Sequence, residues 1–283
     1  MAESQGGAIQ GHIPDKASLA ERAAEIMTRV RASSPLIHQI TNFVVMNETA
    51  NITLCAGALP VMAHAPQEVE EMVGNAHALV LNIGTLWEQQ IEGMLLAGRR
   101  ANTRGIPVVL DPVGAGATRF RTESALRLLD QLSVAIVRGN VAEMATLAGY
   151  QARISGVEST GSVADPVEVA TAFAKKFGSV AAITGPVDTV SDGIRKARVA
   201  NGHALMGRVT GTGCMSTAVT ACYAAVEKDA VMAAAAALAA YGLAGEIAAD
   251  GQPGPGTFHV RLYDALAQLT PEALRSGARI EMA

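Results

Sequence analysis

The chain has 283 residues, with 22 Lys and Arg against 26 Asp and Glu, for a formal net charge of −4 at pH 7. That balance excludes the basic, phosphate-neutralising surface on which nucleic-acid binding depends, and an apolar share of 49% with 17% charged residues excludes a chain disordered by its composition. The cysteines at 55, 214 and 222 form no C-x-x-C pair and, being odd in number, no closed disulfide set, which fits a reducing, cytoplasmic setting.

Residues 1–16 lack the basic start, apolar stretch and cleavage site of a signal peptide, and their Gly, Gln and Ser content reads as a flexible tail. Residues 17–283 read as a single domain, since no repeat or long polar linker divides them. Short β-rich runs follow at 78–83, 106–110, 134–137 and 179–183, and the stretches 86–101 and 122–132 carry the apolar spacing of helices. Strands that are almost wholly apolar belong to a parallel sheet covered on both faces. The βαβα order therefore predicts an α/β fold. The run between Asp229 and Glu246 is Ala-rich and falls short of the roughly 18–20 residues that span a bilayer, so it predicts a buried helix and no membrane association.

Each apolar run ends in small or polar residues: Asn82-Ile-Gly-Thr85, Asp111-Pro-Val-Gly-Ala-Gly116, Arg138-Gly-Asn140 and Thr184-Gly-Pro186. Ligands of open α/β sheets bind beyond the carboxyl ends of the strands, so these junctions predict one functional edge. Asp111 is placed either to hold Mg²⁺ through water or to cap the next turn. Glu143 stands at capping-box distance from Asn140, with metal binding as the other reading. Arg138 suits a phosphate clamp or a surface ion pair equally. The histidines are scattered without ligand spacing, and the Walker A, G-x-G-x-x-G, H-E-x-x-H and G-x-S-x-G signatures are absent.

The strongest local signal is Val209-Thr-Gly-Thr-Gly-Cys-Met-Ser216, which precedes apolar residues at helical spacing through Val226. Two glycines opening a helix leave backbone N–H groups unpaired at the positive end of its dipole, a site suited to phosphate. The alternative is a plain Gly-rich connection. Cys214 falls in the first turn, where the dipole lowers a thiol pKa and a neighbouring phosphate raises it, so its protonation stays open. Cys55 and Cys222 read as small buried hydrophobes.

In chain order, His38-x-Ile-Thr-Asn42, Thr49-Ala-Asn51, Pro60-Val-Met62, Leu81 to Thr85, Leu110 to Gly116, Arg138 to Asn140 with Glu143, Ile183-Thr-Gly185, the glycine turn with Cys214, and Gly254-Pro-Gly256 before Phe258 share one register. From about Pro35 to Leu262 this pattern resembles the hydroxyethylthiazole kinase family of the ribokinase-like superfamily. The resemblance implies a three-layer fold with a mostly parallel central sheet and helices on both faces. It also implies phosphorylation of the hydroxyl of 4-methyl-5-(2-hydroxyethyl)thiazole by ATP with Mg²⁺, in thiamine salvage.

By position, the resemblance assigns Asn42, Met62 and Gly211 to the thiazole, Arg138, Thr184 and Asn140 to ATP, and Asp111 and Glu143 to the metal. Gly211, Thr212, Gly213 and Cys214 form the catalytic turn, with Cys214 where most ribokinase-like kinases carry an Asp base. It further implies a homotrimer with active sites between subunits. Thr212 departs from the frequent Ala, and Gln39 and Glu48 fall at variable positions. Three other readings stay open: a related kinase acting on hydroxymethylpyrimidine or a sugar, which would usually carry Asp at 214; a nucleotide-hydrate dehydratase; and a non-catalytic thiazole binder.

Overall fold

A computed structural model describes residues 16–150 and 165–283; all but Lys16 of the expected tail lies outside the described residues. The described chain opens with α1 (Lys16–Ser33), β1 (Leu36–Ile40), α2 (Met46–Ala56), β2 (Leu59–Val61) and α3 (Val69–Val73). It continues through β3 (Ala78–Asn82), α4 (Glu88–Arg104), β4 (Val108–Asp111), α5 (Arg119–Gln131), β5 (Ile136–Asn140) and α6 (Val141–Ala148). Next come α7 (Pro166–Phe177), β6 (Val180–Thr184), β7 (Asp188–Ser191), β8 (Lys196–Val199) and a 3₁₀ turn over Ala204–Arg208. The last elements are α8 (Thr212–Ala224), α9 (Ala230–Ala248), α10 (Pro255–Gln268), α11 (Pro271–Gly277) and β9 (Ile280–Met282).

Among the described residues, nine strands form one sheet in the order β2-β1-β3-β4-β5-β6-β7-β8-β9. Strands β2 to β6 run parallel, because helices carry the chain back between them. The link from β6 to β7 is too short for a crossover, so β7 turns back antiparallel, and β8 and β9 follow suit. All four β-rich runs expected from sequence are strands of the parallel portion.

The apolar character of these strands follows from burial on both sides. Along β3, Ala78 and Val80 face a layer that includes α1, α2, α8, α9 and α10, while Leu79 and Leu81 face one that includes α4 to α7. β4 and β6 alternate in the same way, with Val109 and Ala182 on the first face and Leu110 and Ile183 on the second. The arrangement is three-layered, α/β/α.

The expected buried helix is α9, although the length argument for it needs correction. It runs 19 residues, past Glu246, and is long and apolar enough to cross a membrane. Its packing decides the matter: α1, α8, α10 and the sheet cover it, and its alanines after Ala230 are buried.

Candidate active site

The parallel register carries the strand ends to one edge. Asn82 lies opposite Asp111, and Asn140 lies opposite Thr184. Helix α8 points its N-terminus at this edge. Gly211, its N-cap, has φ 92°, a left-handed conformation that glycine adopts without strain. A Cβ there would sit 2.8 Å from Val45 Cγ1. Gly211→Ala should therefore destabilise the fold by about 1–3 kcal/mol and lower kcat as the turn shifts, measured by urea unfolding alongside steady-state turnover. A variant as stable and active as the parent would remove the turn from the mechanism.

Asp111 is 1% exposed. Its Oδ2 accepts hydrogen bonds from Thr217 Oγ1 at 2.8 Å and Asn82 Nδ2 at 3.0 Å, while Oδ1 has no hydrogen-bond partner. Arg138 Nη1 stands 4.0 Å from that oxygen. Burial is the main cause that pushes the carboxyl up to about 6; Glu143 adds to the rise, and Arg138 and the hydrogen bonds of Thr217 and Cys214 oppose it.

Cys214 Sγ accepts from Asn82 Nδ2 at 3.2 Å and from Asn42 Nδ2 at 3.6 Å. Its thiol is pushed up to about 12 by burial, and further by the Asp111 charge, against the pull of both amides and of Arg138. Burial and the Asp111 charge thus favour the neutral thiol at the position whose protonation the sequence left open. Thr212 directs its hydroxyl into the turn, onto the carbonyls of Met206 at 2.7 Å and Val209 at 3.1 Å. What Thr212 and Gly213 offer outward is main-chain N–H.

Arg138 donates through Nη2 to Thr184 Oγ1 and lies against the first turn of α8, since a Cβ on Gly213 would meet Nη1 at 2.7 Å. These residues border a pocket of about 540 Å³, walled farther out by Gly202, His203 and Tyr241. Asp188 also faces it. Its Oδ1 accepts from Gly185 N at 2.9 Å, and burial pushes its carboxyl up to about 6.

Asn140 and Glu143 form the expected capping box. Asn140 Oδ1 accepts from Glu143 N, and Glu143 Oε2 accepts from Asn140 N, each at 2.9 Å. The second oxygen, Oε1, accepts from Gly114 N at 2.8 Å, so one carboxylate braces the loops after β4 and β5 together. Met62 stands apart from this cluster. It follows the outer strand β2, and its neighbours are tied to β1 and its end through His38 Nε2 with Ala63 O at 2.8 Å and His64 Nε2 with Thr41 O at 3.1 Å.

The model of the hydroxyethylthiazole kinase family matches residues 27–272, wider than the sequence motifs alone. The chain belongs to the hydroxyethylthiazole kinase family. A hydroxyethylthiazole kinase of Desulforudis audaxviator (strain MP104C) is 55% identical over 260 residues, covering 92% of this chain and 95% of the relative. The solved structure of a hydroxyethylthiazole kinase protein from Pyrococcus horikoshii OT3 superposes with a TM-score of 0.86 at 44% identity, covering 93% of this chain and 99% of that one. A ribokinase-like superfamily protein from Enterococcus faecalis V583, at 12% identity and a TM-score of 0.62 over 95% of this chain and all of its own, shares the ribokinase-like fold.

Within this family member the sequence motifs led to Asp111, Arg138, Thr184 and the glycine turn, yet passed over four neighbours. Asn82 ends β3 within Asn82-Ile-Gly-Thr85, where composition alone gives it no role. Thr217 lies one helical turn beyond Cys214, a spacing that could have flagged it. Asp188 closes Thr184-Gly-Pro-Val-Asp188, and Tyr241 is the lone ring in an Ala-rich helix; its buried hydroxyl has no hydrogen-bond partner.

Proposed function

We propose that the chain transfers the γ-phosphoryl group of ATP to the hydroxyl of 4-methyl-5-(2-hydroxyethyl)thiazole, in thiamine salvage. The observation that carries this reading is the meeting of Asp111, Arg138 and Cys214 at the N-terminus of α8. The 540 Å³ pocket beside Arg138 and Thr184 is of the size that takes a nucleotide. Asn42, which touches Cys214, and Gly211 serve the acceptor side in this reading, and Met62, apart from them in the same chain, would serve it from a neighbouring subunit.

The residues fit Mg²⁺. Asp111 Oδ1 is a buried carboxylate oxygen without a hydrogen-bond partner, and such an oxygen, with phosphate oxygens and water, is what this ion takes. Both Glu143 oxygens hold backbone amides, but each keeps a second lone pair for an ion-bound water. Mg²⁺ when bound would neutralise charge on the β- and γ-phosphates.

Phosphoryl transfer through a loose transition state depends mostly on positioning and electrostatics. The N–H groups of Gly211 to Cys214 receive the transferring oxygens, and Arg138 with Thr184 and Asn140 fixes the nucleotide side. A thiol held neutral has no capacity to take the proton, so Cys214 orients the hydroxyl and does not ionise it; the proton passes to a phosphoryl oxygen as the new P–O bond forms and the bond to ADP breaks. Cys214→Ser should retain turnover to within about tenfold, and Cys214→Asp, a stronger acceptor facing the same two amide donors, should be active. Folded Cys214→Asp protein that binds both substrates without turning over would overturn the acceptor role.

The cytoplasmic setting is supported by three free cysteines, and a homotrimer with active sites between subunits by the exposed Phe43 and Val44 next to Asn42 and the exposed Leu54 and Leu59 on α2 and β2. The deciding experiment mixes the protein with ATP, Mg²⁺ and the thiazole alcohol, with pyrimidine and no-acceptor controls, and identifies products by mass. Thiazole phosphate formed one-to-one with ADP is the expected result. ADP without phosphorylated thiazole would overturn the acceptor assignment.

A further inference from the structure

One buried amide touches both groups on which the reaction centre depends. Asn82 is 1% exposed, at the end of β3 and in register with Asp111 on β4. Its Nδ2 donates to Asp111 Oδ2 at 3.0 Å and to Cys214 Sγ at 3.2 Å. Its Oδ1 accepts from Asn42 Nδ2 at 2.7 Å and from Gly84 N at 2.9 Å. Two hydrogens and two lone pairs are the whole capacity of a primary amide, and all four are in use.

The chemistry of the partners fixes which way the amide points. Gly84 N–H can only donate, so it requires the oxygen. An ionised carboxylate can only accept, so Asp111 requires the nitrogen. This orientation then sets Asn42, whose Oδ1 accepts from Val44 N at 3.0 Å and whose Nδ2 is turned toward Asn82 and Cys214. The sulfur consequently receives N–H groups on two sides, and its own hydrogen is turned away from both amides. The approach is close: a Cβ on Gly84 would lie 2.5 Å from Asn42 Nδ2.

We propose that Asn82 is a positioning residue that sets Asp111 and Cys214 relative to each other and ties the acceptor-side Asn42 to the same frame. The inference rests on the phosphoryl-transfer reading of this site. Asn82 lies behind the three groups it orients and acts through them, so its loss should appear in kcat rather than in affinity.

The test uses Asn82→Asp and Asn82→Ser, with turnover, KM for ATP and for the thiazole alcohol, and calorimetric stoichiometry of a non-hydrolysable ATP analogue. Asn82→Asp keeps the acceptor bonds to Gly84 and Asn42 and sets a second carboxyl against Asp111 in place of the amide donor; Asn82→Ser removes the amide without added charge. Expected is a fall in kcat of about 10- to 10²-fold, less than the roughly 10²–10³ typical of a donor aimed straight at the reacting oxygen. Both KM values should stay within about threefold and binding should remain one per chain.

A merely structural role is separated by repeating Asn82→Ser in a Cys214→Ala background. If Asn82 acts through the thiol, its effect there shrinks by at least about threefold, a coupling expected only of groups in contact. Equal losses in both backgrounds, a loss carried by KM, or variants matching the parent would overturn the inference. A parent without turnover overturns the kinase reading as well; a parent with turnover and additive variants overturns this inference alone.

Discussion

Asp111→Asn should lower kcat by about 10³-fold and leave the protein at least as stable as the parent at pH 7.5. The amide keeps an acceptor for Thr217 Oγ1 and Asn82 Nδ2 and is nearly isosteric. What it removes is a buried charge beside Arg138 and the character of Oδ1 as a carboxylate oxygen free of hydrogen-bond partners. Losing a single preorganised electrostatic contact typically costs about 10²–10³ in kcat, and Asp111 is placed to serve both phosphate geometry and the metal.

The stability half of the prediction follows from linkage. The folded carboxyl titrates near 6, well above its ordinary 3.8. Between those pH values the folded state binds more protons than the unfolded chain, so this group's contribution to stability falls as pH rises from about 4 to about 6 and is level above. The cost at neutral pH is on the order of 3 kcal/mol at most. Asn carries no such cost. Urea midpoints at pH 4 and pH 7.5 should show the variant gaining on the parent at the higher pH. A variant with near-parental kcat would remove Asp111 from the reaction.

Arg138→Gln should lower kcat/KM for ATP by about 10²–10³. The guanidinium holds Thr184, stands 4.0 Å from Asp111 and lies on Gly213, while its Nε has no hydrogen-bond partner. It is thus fixed at the pocket with donor capacity in hand. Charge-assisted bonds to phosphate are worth about 1.5–3 kcal/mol each, so losing two at the lower end of that span, about 3–4 kcal/mol together, accounts for the fall. Arg138→Lys should not restore it, because an ammonium cannot reproduce a planar fork between Thr184 and a phosphate. The check is ATP saturation kinetics with the thiazole alcohol held high; an unchanged KM and kcat would move the nucleotide elsewhere.

Much of the scaffold was legible because the central strands are apolar on both faces, and the signal weakened wherever that condition failed. β1 reads poorly because His38 and Gln39 are buried polar residues within it. β7 (Asp188–Ser191) looks like a loop in composition, yet it is buried along its whole length. β8 and β9 belong to the antiparallel end of the sheet, where alternation is short.

The site shows the same division. Asp111, Arg138 and Thr184 could be found because they interrupt or end apolar runs, and the glycine turn because two glycines open a helix. Asn82 and Thr217 could not, since their roles depend on strand register and helix pitch converging on one carboxylate. The charge state of Cys214 was unreadable for a different reason: dipole and burial oppose each other, and only depth in the fold decides between them.

The Ala-rich helix α9 bears on how this sequence can drift over time. A surface of methyl groups lets α8, α1 and α10 approach closely, and alanine gives up almost no rotamer freedom on folding. At these buried alanines the helix packed against α8 has little bulk to give up. Any enlargement there must push a neighbouring helix, at about 1–3 kcal/mol per added side chain. At the buried alanines of α9, change is open only toward glycine or toward paired substitutions in which a facing helix shrinks as α9 grows.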